Sequence, residues 1–161
     1  MIERPMDQLD QCFAPPPRGP RDPMSPAERG SLSEGPGAAA KVLIVEDDFL
    51  IALQTESALE EAGLQVVGVA TSADEAVALA GKYRPAIAIM DVRLVGPRDG
   101  IDAAGELFRE FGLRCVFASA HDDAATRARA QAFAPLGWLA KPYTMASLVA
   151  MVREALSRSA Q

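Results

Sequence analysis

Histidine, cysteine and clustered basic residues are what this sequence of 161 residues has least of. Its single histidine is His121, and its two cysteines, Cys12 and Cys115, lie far apart with no CxxC pair. That excludes a zinc site built on nitrogen and sulfur, and it excludes a disulfide framework. Lys and Arg total 16 against 22 Asp and Glu, for a formal net charge of −6. Such a balance excludes the basic face needed to neutralise the phosphates of a nucleic acid. The longest apolar runs, 42–45 and 86–90 among them, fall far short of the ~20 residues that cross a bilayer. No basic segment followed by an apolar one opens the chain, so no secretory leader is read and a cytoplasmic protein is expected. Neither GxGxxG nor GxxxxGK with a following Ser or Thr occurs after a strand, which removes the common nucleotide-binding loops.

What is present divides near residue 40. Eight of the twelve prolines fall in the first forty residues, Pro15-Pro16-Pro17 among them, with few aliphatic side chains and no sustained period. Residues 1–40 therefore read as a disordered, proline-rich extension with polyproline II tendency. Residues 41–158 read as one domain, and 159–161 as a short tail. Hydrophobic residues make up 49% of the chain, enough for a core without staples.

Inside the domain, strands and helices alternate. Val42-Leu43-Ile44-Val45 is a buried strand running into Glu46-Asp47-Asp48, where Asp48 suits the cap of a helix over 49–62 that Gly63 stops. Strand 64–70 leads to a helix capped by Ser72, with Asp74 and Glu75 in its first turn, where the helix dipole favours acids. Strand 86–90 stops at Asp91, and a Gly- and Pro-containing loop leads to a helix over 101–111 closed by Gly112. Strand 115–118, helix 122–132, strand 138–140 and a last helix capped by Thr144 complete the series. Five strands alternating with five helices imply right-handed crossovers and a parallel sheet covered on both faces.

Ligands of such sheets sit outside the carboxyl ends of the strands. Here those ends carry Glu46, Asp47, Asp91, Ser119 and Lys141. Crowded carboxylates call for a cation, and oxygen donors without His or Cys point to Mg²⁺, which favours phosphate oxygens. Asp91 is the candidate nucleophile for a phosphoryl group; Lys141 and the Ser119 hydroxyl are the candidates to hold its remaining oxygens.

The segments Val42-Leu43-Ile44-Val45-Glu46-Asp47-Asp48, Ile89-Met90-Asp91, Phe117-Ala118-Ser119-Ala120 and Trp138-Leu139-Ala140-Lys141-Pro142 resemble the signature of response-regulator receiver domains. The resemblance spans about residues 41–158. It implies a flavodoxin-like (βα)5 fold with strand order 2-1-3-4-5, and a two-component or phosphorelay phosphoprotein. Asp91 then takes a phosphoryl group from a sensor histidine kinase or histidine phosphotransfer protein, with Mg²⁺ as cofactor. Asp47 ligates the metal directly, Glu46 through water, and Arg93 through its backbone carbonyl. Ser119 and Lys141 read the phosphorylated state. The aromatic switch position, usually Tyr or Phe, holds Trp138, whose larger ring donates only through its nitrogen and shifts the balance between inward and outward placement. The loop 92–100 departs from the family pattern, with its proline displaced and its Asp-Gly pair one residue late.

Only Ser159-Ala160-Gln161 follow the last helix, so the expectation is a stand-alone receiver that catalyses its own phosphorylation and dephosphorylation and carries no output enzyme. It would signal by protein contacts on the 122–158 face or by onward transfer, without nucleic acid or membrane. Two rivals differ in class. An aspartyl-phosphate phosphohydrolase resembles this pattern but has an Asp-x-Asp pair, which Asp91-Val92-Arg93 lacks. A pseudo-receiver works as a binding module without phosphorylation, against which all five chemical positions are filled. Arg127 and Arg129 read as a solvated helix face, His121 as an exposed loop residue, and Cys115 as core.

Overall fold

The computed structural model describes residues 37–161. The extension assigned to residues 1–40, Cys12 included, lies outside the described residues except for 37–40. Ten elements alternate: β1 (Lys41–Val45), α1 (Phe49–Glu61), β2 (Gln65–Ala70), α2 (Ala73–Tyr83), β3 (Ile87–Met90), α3 (Gly100–Phe111), β4 (Cys115–Ser119), α4 (Ala124–Gln131), β5 (Gly137–Ala140) and α5 (Met145–Ser159). The strands form one sheet in the order 2-1-3-4-5, parallel at every pairing. This is the doubly wound, flavodoxin-like arrangement that the alternation and the resemblance imply.

The central strands are apolar through their interiors because both of their faces are covered. Successive side chains point to opposite faces, so β1 sends Leu43 and Val45 to one core and Val42 and Ile44 to the other. The first core is closed by Ile101 and Leu107 of α3 and by Ala73, Ala76 and Ala80 of α2. The second is closed by Leu59 of α1 with Leu148, Val152 and Ala155 of α5. Each such leucine contributes roughly 1.5–3 kcal/mol of transfer free energy.

Local capping starts each helix. The Asp48 carboxylate accepts the Leu50 and Ile51 amides at 3.0 and 3.1 Å, Ser72 accepts the Glu75 amide, and Thr144 accepts the Ser147 amide. Several boundaries differ from the sequence reading by one or two residues, and at two of them the cap gives the reason. Helix α3 begins at Gly100 under a reciprocal cap, in which Asp99 accepts from Ile101 and Asp102 while Asp102 accepts the Asp99 amide. Helix α4 begins at Ala124, not Asp122, because Asp123 takes the cap and binds Thr126 through its amide and hydroxyl.

One glycine is fixed by close approach rather than by φ. A Cβ on Gly100 would fall 1.8 Å from the carbonyl oxygen of Asp91. The start of α3 is thus pressed directly against the backbone that presents Asp91, and only glycine fits there.

Candidate functional site

The parallel ladder runs on past the strand ends and thereby sets the rim. The Glu46 amide donates to the Ala70 carbonyl, the Asp91 amide to the Val45 carbonyl, and the Lys141 amide to the Ser119 carbonyl, at 2.9, 2.9 and 3.0 Å. Glu46, Asp91 and Ser119 are buried there, while Asp47 faces solvent. Lys141 Nζ lies 2.8 Å from Glu46 Oε2 and 3.0 Å from Asp91 Oδ2. Glu46, Asp47 and Asp91 each offer a carboxylate oxygen, all within 4.8 Å of one another. Residues from three separate strand ends meet in one polar cluster.

Burial pushes the Glu46 carboxyl up to about 7, helped by the nearby Asp91 charge and opposed by Lys141 and the Asp48 amide. At Lys141, burial disfavours the ammonium, yet its contacts with Glu46 and Asp91 outweigh that and hold the group above its usual value. The donor set is wholly oxygen, two carboxylates are buried, and the third is open to water. Such a set fits a small hard divalent cation of the Mg²⁺ class, which keeps part of its hydration shell. The mobile charge of Lys141 can then turn to other anionic oxygens at the rim.

The remaining predicted residues divide between the rim and a neighbouring face. The Arg93 amide donates to Asp91 Oδ1 at 3.3 Å, so this residue borders the acidic cluster. Ser119 Oγ accepts the His121 amide at 3.2 Å, and His121 is half-buried rather than exposed. Trp138 lies outside the cluster. It pairs with Phe117 across β4 and β5, and the rings stack with centroids 4.7 Å apart at 24°. Arg127 sits over the indole at 5.2 Å. The indole N–H is buried without a hydrogen-bond partner among the described residues, a condition that costs roughly 1–3 kcal/mol.

Sequence reasoning missed the residues that hold the loop after Asp91. Arg98 forms ion pairs with Asp74 of α2 and Glu106 of α3. The Val95 amide donates to the Thr71 carbonyl at 3.0 Å. Arg129 of α4 reaches back to Asp99 and Asp102, and Arg127 pairs with Asp122. The two α4 arginines are half exposed, but they are cross-linked rather than freely solvated. No local pattern announces contacts that span 24 and 30 positions.

Comparison with known proteins matches residues 42–153 to the response regulator receiver domain family. Over 118 residues the chain is 36% identical to the transcriptional regulatory protein PdtaR of Mycobacterium tuberculosis, covering 73% of this chain and 57% of that protein. It is 33% identical over 120 residues to the phyllosphere-induced regulator PhyR of Methylorubrum extorquens, covering 73% and 44%. The chain thus spans about half the length of these curated relatives. Among solved structures it is similar to the signal receiver domain of a modulated diguanylate cyclase from Desulfovibrio desulfuricans, with a TM-score of 0.71, 35% identity, and coverage of 76% of this chain and 98% of that one. No helix among the described residues is long and apolar enough to cross a membrane.

Proposed function

The chain belongs to the response regulator receiver domain family, and from that premise we propose that Asp91 accepts a phosphoryl group from a histidine kinase or histidine phosphotransfer protein. The observation that carries this reading is the meeting of Asp91, Glu46, Asp47 and Lys141 at one rim. Asp91 Oδ attacks the phosphorus of the donor's phosphohistidine; the P–N bond breaks as the P–O bond forms, and the imidazole leaves with the bonding pair. The chain's part is to hold Asp91 in place, through the Arg93 amide and the β1 ladder, and to supply charge where the transferring oxygens gather it.

Glu46, Asp47, Asp91 and the Arg93 carbonyl are the groups that would hold Mg²⁺. When bound, the ion offsets charge on the phosphoryl oxygens and on the crowded carboxylates. Lys141 moves from its two carboxylate partners toward a phosphoryl oxygen, and the Ser119 hydroxyl donates to another. Trp138 changes its packing as the rim is remade, so its emission reports the phosphorylated state. Operation in the cytoplasm, in domain 41–158, belongs to the same proposal.

Exposed apolar side chains support a docking donor. Phe49, Leu50 and Leu53 at the start of α1 are 75, 67 and 50% exposed immediately beyond Glu46, Asp47 and Asp48. An apolar groove of about 360 Å³, bordered by Ile51, Pro142, Tyr143 and Met145, ends on Lys141. Contiguous apolar surface of this kind marks contact with partners. The output partner is assigned to the 122–158 face, part of which, at Pro142, Tyr143 and Met145, borders this groove.

Incubation with Mg²⁺ and acetyl phosphate, followed by intact mass measurement, tests the reading. One phosphoryl adduct on the native chain and none on Asp91→Ala is expected. An adduct on both moves the acceptor elsewhere. No adduct on either, with phosphohistidine donors failing as well, leaves the non-phosphorylated binding module in its place.

A further inference from the structure

Helix α4 is poorly held by packing. Ala130 is its only buried residue, and its mean hydrophobic content is the lowest of the five helices. Open clefts flank its contact with the rest of the domain. One, of about 350 Å³, separates the loop after Asp91 from α4 and is bordered by Leu94, Pro97, His121 and Thr126. Another, of about 400 Å³, lies between α3 and α4 and is bordered by Ile101, Asp102, Arg109 and Phe133. Arg129 belongs to the walls of both.

Across this gap Arg129 makes a forked contact. Nη1 reaches Asp99 Oδ2 at 2.8 Å, and Nη2 reaches Asp99 Oδ1 at 3.2 Å and Asp102 Oδ1 at 3.3 Å. Paired donors on a planar guanidinium fix direction as well as distance. Asp99 is no ordinary surface acid: it ends the loop that starts at Asp91, and it caps α3 through Ile101 and Asp102. The other ties on that loop, from Arg98 and Val95, lead to α2, its entrance and α3. The tie to α4 runs through Arg129.

We propose that Arg129 is a positioning residue that couples the loop after Asp91 to the docking of α4, separately from Ser119 and Trp138. The inference rests on the reading of Asp91 as phosphoacceptor. Ligation at Asp91 orders the loop, the ordered loop holds Asp99 in the fork, and α4 is drawn against α3. By linkage, α4 held by a partner acts back on the loop with the same coupling free energy.

Amide hydrogen exchange of α4 in the full chain, with and without Mg²⁺ and beryllofluoride, tests it. Beryllofluoride stands in for the phosphoryl group, and its uptake is followed independently by fluorine NMR of the bound fluorides. In the native chain ligation slows α4 exchange by about two- to fivefold, the range that a half-exposed ion pair supports. In Arg129→Met the α4 response disappears while the fluorine signal still reports uptake. Asp99→Asn, which keeps a capping side chain, reproduces that loss, and combining the two changes adds nothing further. Arg129→Lys restores part of the response, as a point charge without the fork. Undiminished slowing in both single variants overturns the proposal, as does an unchanged α4 in a native chain that has taken up beryllofluoride. A native chain that takes up none overturns instead the assignment of Asp91, so the two failures are distinct.

Discussion

Helix α3 buries six residues, Ile101 and Leu107 among them, whereas α4 on the same face of the sheet buries Ala130 alone. The first is fixed by apolar area, a reciprocal cap and contact with the Asp91 backbone; the second is tied to the α3 cap by Arg129. Apolar area removed from water is insensitive to charge nearby, while a half-exposed ion pair responds to salt, pH and competing charge. On the proposed function, a domain that keeps its acceptor still and lets its output surface respond has reason to divide its helices in this way. Regions of low local stability are where such responses are drawn from.

The largest expected break in this contrast is Gly100→Ala. The obstacle is a main-chain carbonyl, so the cost should exceed the ~1–3 kcal/mol of ordinary overpacking, and the displaced Asp91 should lose acetyl phosphate reactivity. Denaturant unfolding and intact mass check the two halves. Next comes Leu107→Ala, a cavity in the α3 core, which should cost about 2–5 kcal/mol in global unfolding. The contrast sharpens at α4: Ala128→Gly costs about 1 kcal/mol of local helix stability, and it should appear in α4 hydrogen exchange far more than in the global midpoint. An equal effect on both would mean that α4 unfolds only with the core.

The smallest effect is electrostatic. Burial pushes the Asp99 carboxyl up, but Arg129 and the α3 amides outweigh it and hold the group below its ordinary value. A carboxyl depressed in the folded state contributes stability above its unfolded pKa, and that contribution is lost as pH falls through the folded value. Native chain and Arg129→Met should therefore differ by less than ~1 kcal/mol above about pH 4 and converge in more acid solution, as the folded carboxyl protonates. Thermal melts across that interval check it, and a difference that grows in acid would contradict it.

The contrast also separates what could be read in the sequence from what could not. β1, β3 and β4 were legible because they are buried on both faces and hence carry short runs of apolar residues, 42–45, 87–90 and 115–118. Glu46, Asp91 and Lys141 were legible as a group because a parallel sheet gathers its strand ends, however far apart they stand in sequence. Caps at Asp48, Ser72 and Thr144 are local chemistry, and each stands where the sequence places it. At α4 two adjacent acids compete for the cap, and only the fold shows that Asp122 is occupied by Arg127 while Asp123 caps. The environment of Trp138 depends on strand register, and the tie from Arg129 to Asp99 on helix packing. Neither leaves a periodic trace.

Everything proposed for α4 depends on where the phosphoryl group sits. The most direct test is to treat the chain with Mg²⁺ and acetyl phosphate, reduce the acyl phosphate with borohydride, and locate the resulting homoserine by peptide sequencing. The account predicts homoserine at position 91 alone, and only when Mg²⁺ is present. Reduction at Asp47 or Asp48, or labelling at 91 that is indifferent to the metal, would contradict it.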